Sequence, residues 1–156
     1  MVRTGRSRQV GWAYRHLSKA ISSGLVPDEQ VVKVFDIAIA RTGLRDHEAR
    51  RAGFEPLTVE SRVWDHKAYY PGAHQVSIRV TGDRQSGRLL GAQILGHWQS
   101  EVAKRVDVYA AALHAGQSVD EICDLDLSYT PPLGSPWDAV QMAAQAWTAA
   151  RNGGPS

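Results

Sequence analysis

The feature that most constrains this chain is a change of hydrophobic period. Between residues 57 and 96 the apolar side chains recur at every second position, and beyond residue 100 they recur every three to four. Period two places alternate residues on opposite faces of a strand, and period 3.6 places them on one stripe of a helix. Leu57, Val59 and Val63 alternate with Thr58, Glu60, Arg62 and Trp64, and Val76, Ile78 and Val80 alternate with Ser77, Arg79 and Thr81. Both runs read as half-buried antiparallel strands. Gly82–Gly87 reads as a hairpin loop, and Arg88–Gly96 as a strand with Leu90, Ala92 and Ile94 on one face. Val31–Arg41 carries apolar residues on both faces. It reads as one or two covered strands, with a kink or turn at Asp36.

The helical part is equally patterned. Val102, Val106, Tyr109 and Leu113 form a stripe that Ser100 can cap and Gly116 can close, with Glu101 and Arg105 as a solvent-side pair. Ser118-Val119-Asp120-Glu121 is a capping box, and a short helix over Asp46–Ala52 can end on Gly53. The last helix is expected from Ser135 as N-cap, Pro136 at the first position and Asp138 returning the cap. Its stripe is Trp137, Val140, Ala144 and Trp147. Strands followed by helices predict an α+β domain, an antiparallel β-sheet with helices packed on one face.

Upstream, Arg8–Ser22 reads as a helix with Val10, Tyr14, Leu17 and Ile21 on one side, and Pro27-Asp28 marks a linker. The expected organisation is a basic helix and linker over 1–28, one domain over 29–152 and a tail over 153–156. Residues 1–27 hold five basic and no acidic side chains, and the rest carries a net charge of −3. A basic arm can serve nucleic acid or mimic a transit peptide. With no aromatic-interleaved basic pattern it reads as a solvated helix with its Arg side chains outward, so neither nucleic acid nor a membrane is expected as partner. The single cysteine, Cys123, fits a reducing, cytoplasmic compartment and reads as a small buried apolar residue.

Known chemistry is sparse. The chain has no GxGxxG, P-loop, GxSxG or HExxH pattern, so no dinucleotide, triphosphate, serine-hydrolase or zinc-hydrolase site can be argued, and no metal is expected. The unusual residues are loop aromatics. Tyr69-Tyr70-Pro71-Gly72 and Tyr129-Thr130-Pro131-Pro132 place phenols on stiff turns, and Asp65-His66 precede the first pair closely enough to share a site. Tyr69, Tyr70 and Tyr129 read either as core residues or as a contact surface. With His66 and Asp65 they are also the candidates for acid–base work of isomerase or cyclase type.

Five segments in order carry a resemblance: Val34–Leu44, Gly87–Gly96, Arg105–Val108, Asp126–Pro132 and Trp137–Ala144. Together they are similar to the C-terminal dimerisation domain of the pyridine nucleotide-disulfide oxidoreductases, in the branch of coenzyme A disulfide reductase and NADH oxidase. Gly5–Ile21 resembles the last helix of that family's flavin domain, with Trp12 where the family usually has Arg, and Gln141 stands where Asn is frequent.

The resemblance implies a two-fold dimer in which Tyr69 or Tyr70, and Tyr129, reach towards the partner subunit's flavin. The 156 residues hold no flavin domain, NAD(P) domain or redox cysteine of that family. No flavin and no NAD(P)H oxidation are therefore expected of this chain, and FAD and NAD(P)H could enter only through a separate partner chain. The expected role is a free-standing homodimeric interaction module. The alternatives are a small-molecule binder or acid–base catalyst at the tyrosine cleft, and one subunit of a split FAD-dependent oxidoreductase.

Overall fold

The computed structural model describes residues 30–153. The helix expected over Arg8–Ser22 and the linker at Pro27-Asp28 lie outside the described residues, as does the tail beyond Gly153. Five strands form one antiparallel sheet in the order β1-β2-β5-β4-β3. They are β1 (Gln30–Val34), β2 (Ile37–Gly43), β3 (Pro56–Trp64), β4 (Gln75–Asp83) and β5 (Leu89–His97). Four α-helices are described: α1 (Asp46–Arg51), α2 (Val102–Ala115), α3 (Val119–Cys123) and α4 (Ala139–Arg151). The α+β expectation stands.

Period two does its work on the helix side of the sheet. Ala38 and Ala40 of β2, Val76, Ile78 and Val80 of β4, and Ala92 and Ile94 of β5 are all buried. Val102, Val106, Tyr109 and Leu113 of α2 and Val140, Ala144 and Trp147 of α4 pack into the same core. Trp147 is fully buried and its indole Nε1 donates to the Leu57 carbonyl at 2.7 Å. Gly82 lies under that ring, where a Cβ would fall 2.4 Å from Trp147 Cζ2, so only glycine fits there.

The sheet corrects the expected face of Leu90. The β4–β5 register shifts between Thr81 and Gly82: Thr81 faces Gly91 and Gly82 faces Leu89. Leu90 is thus the extra residue of a bulge, which re-aims the side chains on either side of it. Leu89 joins the main core, and Leu90 packs with Leu44 and Ala49 in a second cluster beside α1. Of the one or two covered strands expected over Val31–Arg41 the structure forms two, with the expected turn at Phe35-Asp36 and Phe35 at φ 51°, but the expected cover is not found over β1 among the described residues. Edge strand β1 is exposed throughout.

Three helix-start expectations are also corrected. Ser100 does not cap α2. It ends a 3-10 turn (Trp98–Ser100), and Glu101 precedes the helix at φ 51°. Arg105 is not a solvent-side partner of Glu101. It is buried and paired with Asp138, with Nε–Oδ1 at 3.1 Å and Nη2–Oδ2 at 2.8 Å. Its Nη2 also donates to the Asp65 carbonyl at 2.7 Å and its Nη1 to the Ser100 carbonyl.

Asp138, not Ser135, is the N-cap of α4. Its Oδ1 accepts from Val140 N at 3.0 Å, and its own N–H donates to Gln141 Oε1 at 3.0 Å. A carboxylate is a stronger acceptor than a hydroxyl at the positive end of a helix, and this one is also anchored by Arg105. Trp137 consequently lies before the helix, exposed, and leaves the expected stripe.

Removing one partner of a buried ion pair costs about 3–5 kcal/mol, because the other charge stays uncompensated. Arg105→Ala should therefore lower stability by roughly that amount in thermal or urea unfolding. Lys104→Ala, which removes the exposed pair with Asp107, should stay within about 1 kcal/mol of the parent protein.

Candidate functional site

The connection from β3 to β4, residues 65–74, carries Tyr69 and Tyr70, and its base is stapled by Asp65. The Asp65 carboxylate is buried. Its Oδ1 accepts from His66 N at 2.8 Å and His74 N at 3.0 Å, and it lies 2.9 Å from His66 Nδ1. Oδ2 accepts from Ser100 Oγ at 2.7 Å. Asp65 N donates to the His74 carbonyl at 3.0 Å, which closes the two ends of the loop on each other. Two backbone N–H groups and the Ser100 hydroxyl thus converge on this carboxylate, and its local role is to hold the loop.

The second aromatic loop arrives from the other side. Gln141 is buried at the start of α4, and its Nε2 donates to the Leu125 carbonyl at 2.7 Å and the Cys123 carbonyl at 3.3 Å. Those bonds fix the segment leaving α3, which then runs through Tyr129 to Pro132. Thr130 O receives both Leu133 N and Gly134 N at 2.9 Å, a tight turn on stiff prolines. The two loops meet at one backbone bond, Lys67 N to the Pro131 carbonyl at 3.4 Å.

The tyrosines are surface residues: Tyr69 is 74%, Tyr129 46% and Tyr70 36% exposed. The Tyr69 and Tyr70 rings stand 5.1 Å apart at 42°. None of the three lines the adjacent cleft of about 240 Å³, whose walls include Asp65, His66, Pro71, Glu101, Arg105 and Leu133. The structure thus brings His66 and Asp65 into one concavity and leaves the phenols outside it. His66 Nε2 and His74 Nδ1 are buried without a hydrogen-bond partner, and His74 stacks on His97 with centroids 4.0 Å apart.

Sequence reasoning missed Arg105, Ser100 and Gln141 as the residues that shape this site. A signal existed for Arg105, which falls directly before the stripe residue Val106. Cys123, expected to be buried, is only partly so. Its Sγ reaches the Val119 carbonyl at 3.6 Å, and burial pushes its thiol up from the usual value. Among the described residues no group of three His, Cys, Asp or Glu could hold a metal ion, and no helix is long and apolar enough to cross a membrane. The described sheet is antiparallel throughout, so these residues offer no β-α-β phosphate cradle for a dinucleotide.

Similarity to known proteins follows this architecture. The chain is 33% identical over 115 residues to the NAD(P)H coenzyme A polysulfide/persulfide reductase of Pyrococcus horikoshii, covering 74% of this chain and 25% of that protein. It is 34% identical over 112 residues to the coenzyme A disulfide reductase of Staphylococcus haemolyticus, covering 72% of this chain and 24% of that protein. The structure of a NAD-dependent persulfide reductase from A. fulgidus superposes with a TM-score of 0.77 at 35% identity, covering 81% of this chain and 23% of that one. The chain therefore spans about a quarter of the relatives it matches. Residues 30–140 match the pyridine nucleotide-disulphide oxidoreductase dimerisation domain, and the chain belongs to that family.

Proposed function

We propose that this chain is the self-association module of a coenzyme A disulfide or persulfide reductase-type oxidoreductase, and that it forms a homodimer. The observation that carries the reading is the joined pair of loops at Lys67 and Pro131. They present Tyr69, Tyr129 and Leu133, with Trp137 close by in sequence, as exposed apolar and amphipathic groups on proline-stiffened backbone. Rigid display lowers the entropy cost of binding, and aromatic anchors dominate interface energies. A two-fold interface needs only one such self-complementary patch.

In this reading the tyrosine loops face a flavin-bearing partner subunit, and FAD and NAD(P)H belong to another domain or chain. The module itself performs no hydride transfer. It contributes subunit pairing and one wall of the place where a thiol or disulfide substrate would sit. A second reading, a small ligand in the cleft, is favoured by the unpartnered His66 Nε2. There the imidazole would donate or accept one hydrogen bond, with its Nδ1 side held by Asp65.

Light scattering at micromolar concentration should give twice the 17.1 kDa chain mass. Leu133→Glu and Trp137→Glu should each weaken the dimer by about tenfold or more, since each places a charge in a desolvated contact. Tyr129→Phe should leave the dimer intact. A monomeric mass for the parent protein would overturn the reading.

Asp65→Ala should leave the loop's donors without an acceptor, at roughly 1–3 kcal/mol. Hydrogen exchange should then quicken at residues 66–74 while the amides of β4 and β5 keep their protection.

A further inference from the structure

The entry to α2 contains a residue whose backbone and side chain are both at odds with their surroundings. Glu101 sits at φ 51° and ψ 34°, in the left-handed region. That region disfavours residues with a Cβ and is the usual place of glycine. Glu101 is also the N-cap of α2, yet its side chain makes no capping bond. The cations three and four positions along are its natural partners on a helix, and both are taken. Lys104 pairs with Asp107 at 3.1 Å and Arg105 with Asp138 at 2.8 Å. Among the described residues no side chain pairs with the Glu101 carboxylate. A left-handed conformation that secures no local contact for its side chain points to a role outside the helix.

Glu101 forms part of the wall of the cleft beside the tyrosine loops, together with Asp65, His66 and Arg105. The other charges there are engaged. Arg105 is neutralised by Asp138 and donates to the Ser100 and Asp65 carbonyls. The Asp65 carboxylate accepts from the His66 and His74 backbone N–H groups and from the Ser100 hydroxyl. Its Oδ1 lies 2.9 Å from His66 Nδ1, which places the ring proton on Nδ1. His66 Nε2 is then an acceptor, buried and without a donor. The cleft thus offers a ligand one unpaired carboxylate and one nitrogen acceptor, with apolar walls from Pro71 and Pro132. Its volume of about 240 Å³ falls below the roughly 300–1,000 Å³ of pockets that take drug-sized molecules. A primary ammonium group brings one positive charge and three N–H donors, which suits both acceptors, and a short hydrocarbon body suits the prolines. An anion would meet Glu101 with like charge.

We propose that this cleft binds a small primary alkylammonium compound, with Glu101 as its counter-ion and His66 Nε2 as its second acceptor. The proposal rests on the second reading above, of the cleft as a ligand site, and names the chemistry that site takes. Glycine at position 101 would relax the backbone and remove the counter-ion.

The test is a titration of the full 156-residue chain with isobutylamine, isobutanol and isobutyrate at neutral pH, followed by amide NMR. Isobutylamine, cationic under these conditions, should shift the amides of His66, Gly72 and Glu101 saturably, and bind about tenfold or more tightly than isobutanol. Isobutyrate should leave them unmoved. Glu101→Gln keeps the backbone conformation and removes the charge, so it should weaken the amine to the level of the alcohol. Glu101→Gly should weaken it equally and raise the unfolding midpoint by about 2–4 °C. The proposal is overturned if isobutanol or isobutyrate binds as tightly as the amine, if Glu101→Gln keeps the amine's affinity, or if Glu101→Gly fails to raise the midpoint. In each of these cases the cleft remains a ligand site of other chemistry. If none of the three probes shifts these amides, the reading of the cleft as a ligand site falls as well.

Discussion

One buried guanidinium holds four parts of this domain together. Arg105 leaves α2 and reaches the Asp138 carboxylate at the start of α4, the Ser100 carbonyl in the 3-10 turn and the Asp65 carbonyl at the end of β3. A planar fork with fixed donors suits such a junction, because two donors grip the carboxylate while others satisfy main-chain oxygens. Asp138 is at once ion-pair partner and helix cap. The position of α4, and with it Trp147 against Leu57 and Gly82, therefore depends on the same contact that fixes the base of the tyrosine loop.

From that junction the site is built outward by main-chain bonds, not by side-chain chemistry. Asp65 closes one loop, Gln141 steers the other, and a single Lys67–Pro131 bond joins them. The consequence is a stiff flank that displays aromatic side chains and a small cleft behind it. Such a surface is suited to contact with another protein.

The sheet has two unequal faces. The helix side uses Ala38, Ala40 and Ala92 to let α2 approach and larger aliphatics elsewhere to fill the space. The opposite side is polar over β4 and, apart from Trp64, over β3, and apolar over β1, β2 and β5. This asymmetry explains why Val31–Arg41 reads as doubly apolar. Val32, Val34, Ile37 and Ile39 point away from the helices, and Ala38 and Ala40 point towards them.

Local pattern by itself determined the strands of the central sheet, the stripe of α2, the Val140, Ala144 and Trp147 part of the α4 stripe, the Ser118 capping box and the closure of α2 at Gly116. Each of these follows from residues a few positions apart, where steric and hydrogen-bonding preferences act without knowledge of the rest of the chain. The order of motifs also pointed to the dimerisation-domain family. Tertiary structure decided what depends on distant partners. Ser100 and Ser135 had the right chemistry for caps, but Asp65 claimed one hydroxyl and Asp138 displaced the other as N-cap. Arg105 looked solvent-facing because its partner lies 33 residues away. Leu90 changed face because the bulge at Thr81/Gly82 is a property of two strands together. The tyrosines were legible as loop residues, yet their separation from the cleft was set by where the Asp65 staple and the Gln141 bonds pin the two loops, and both act across the fold.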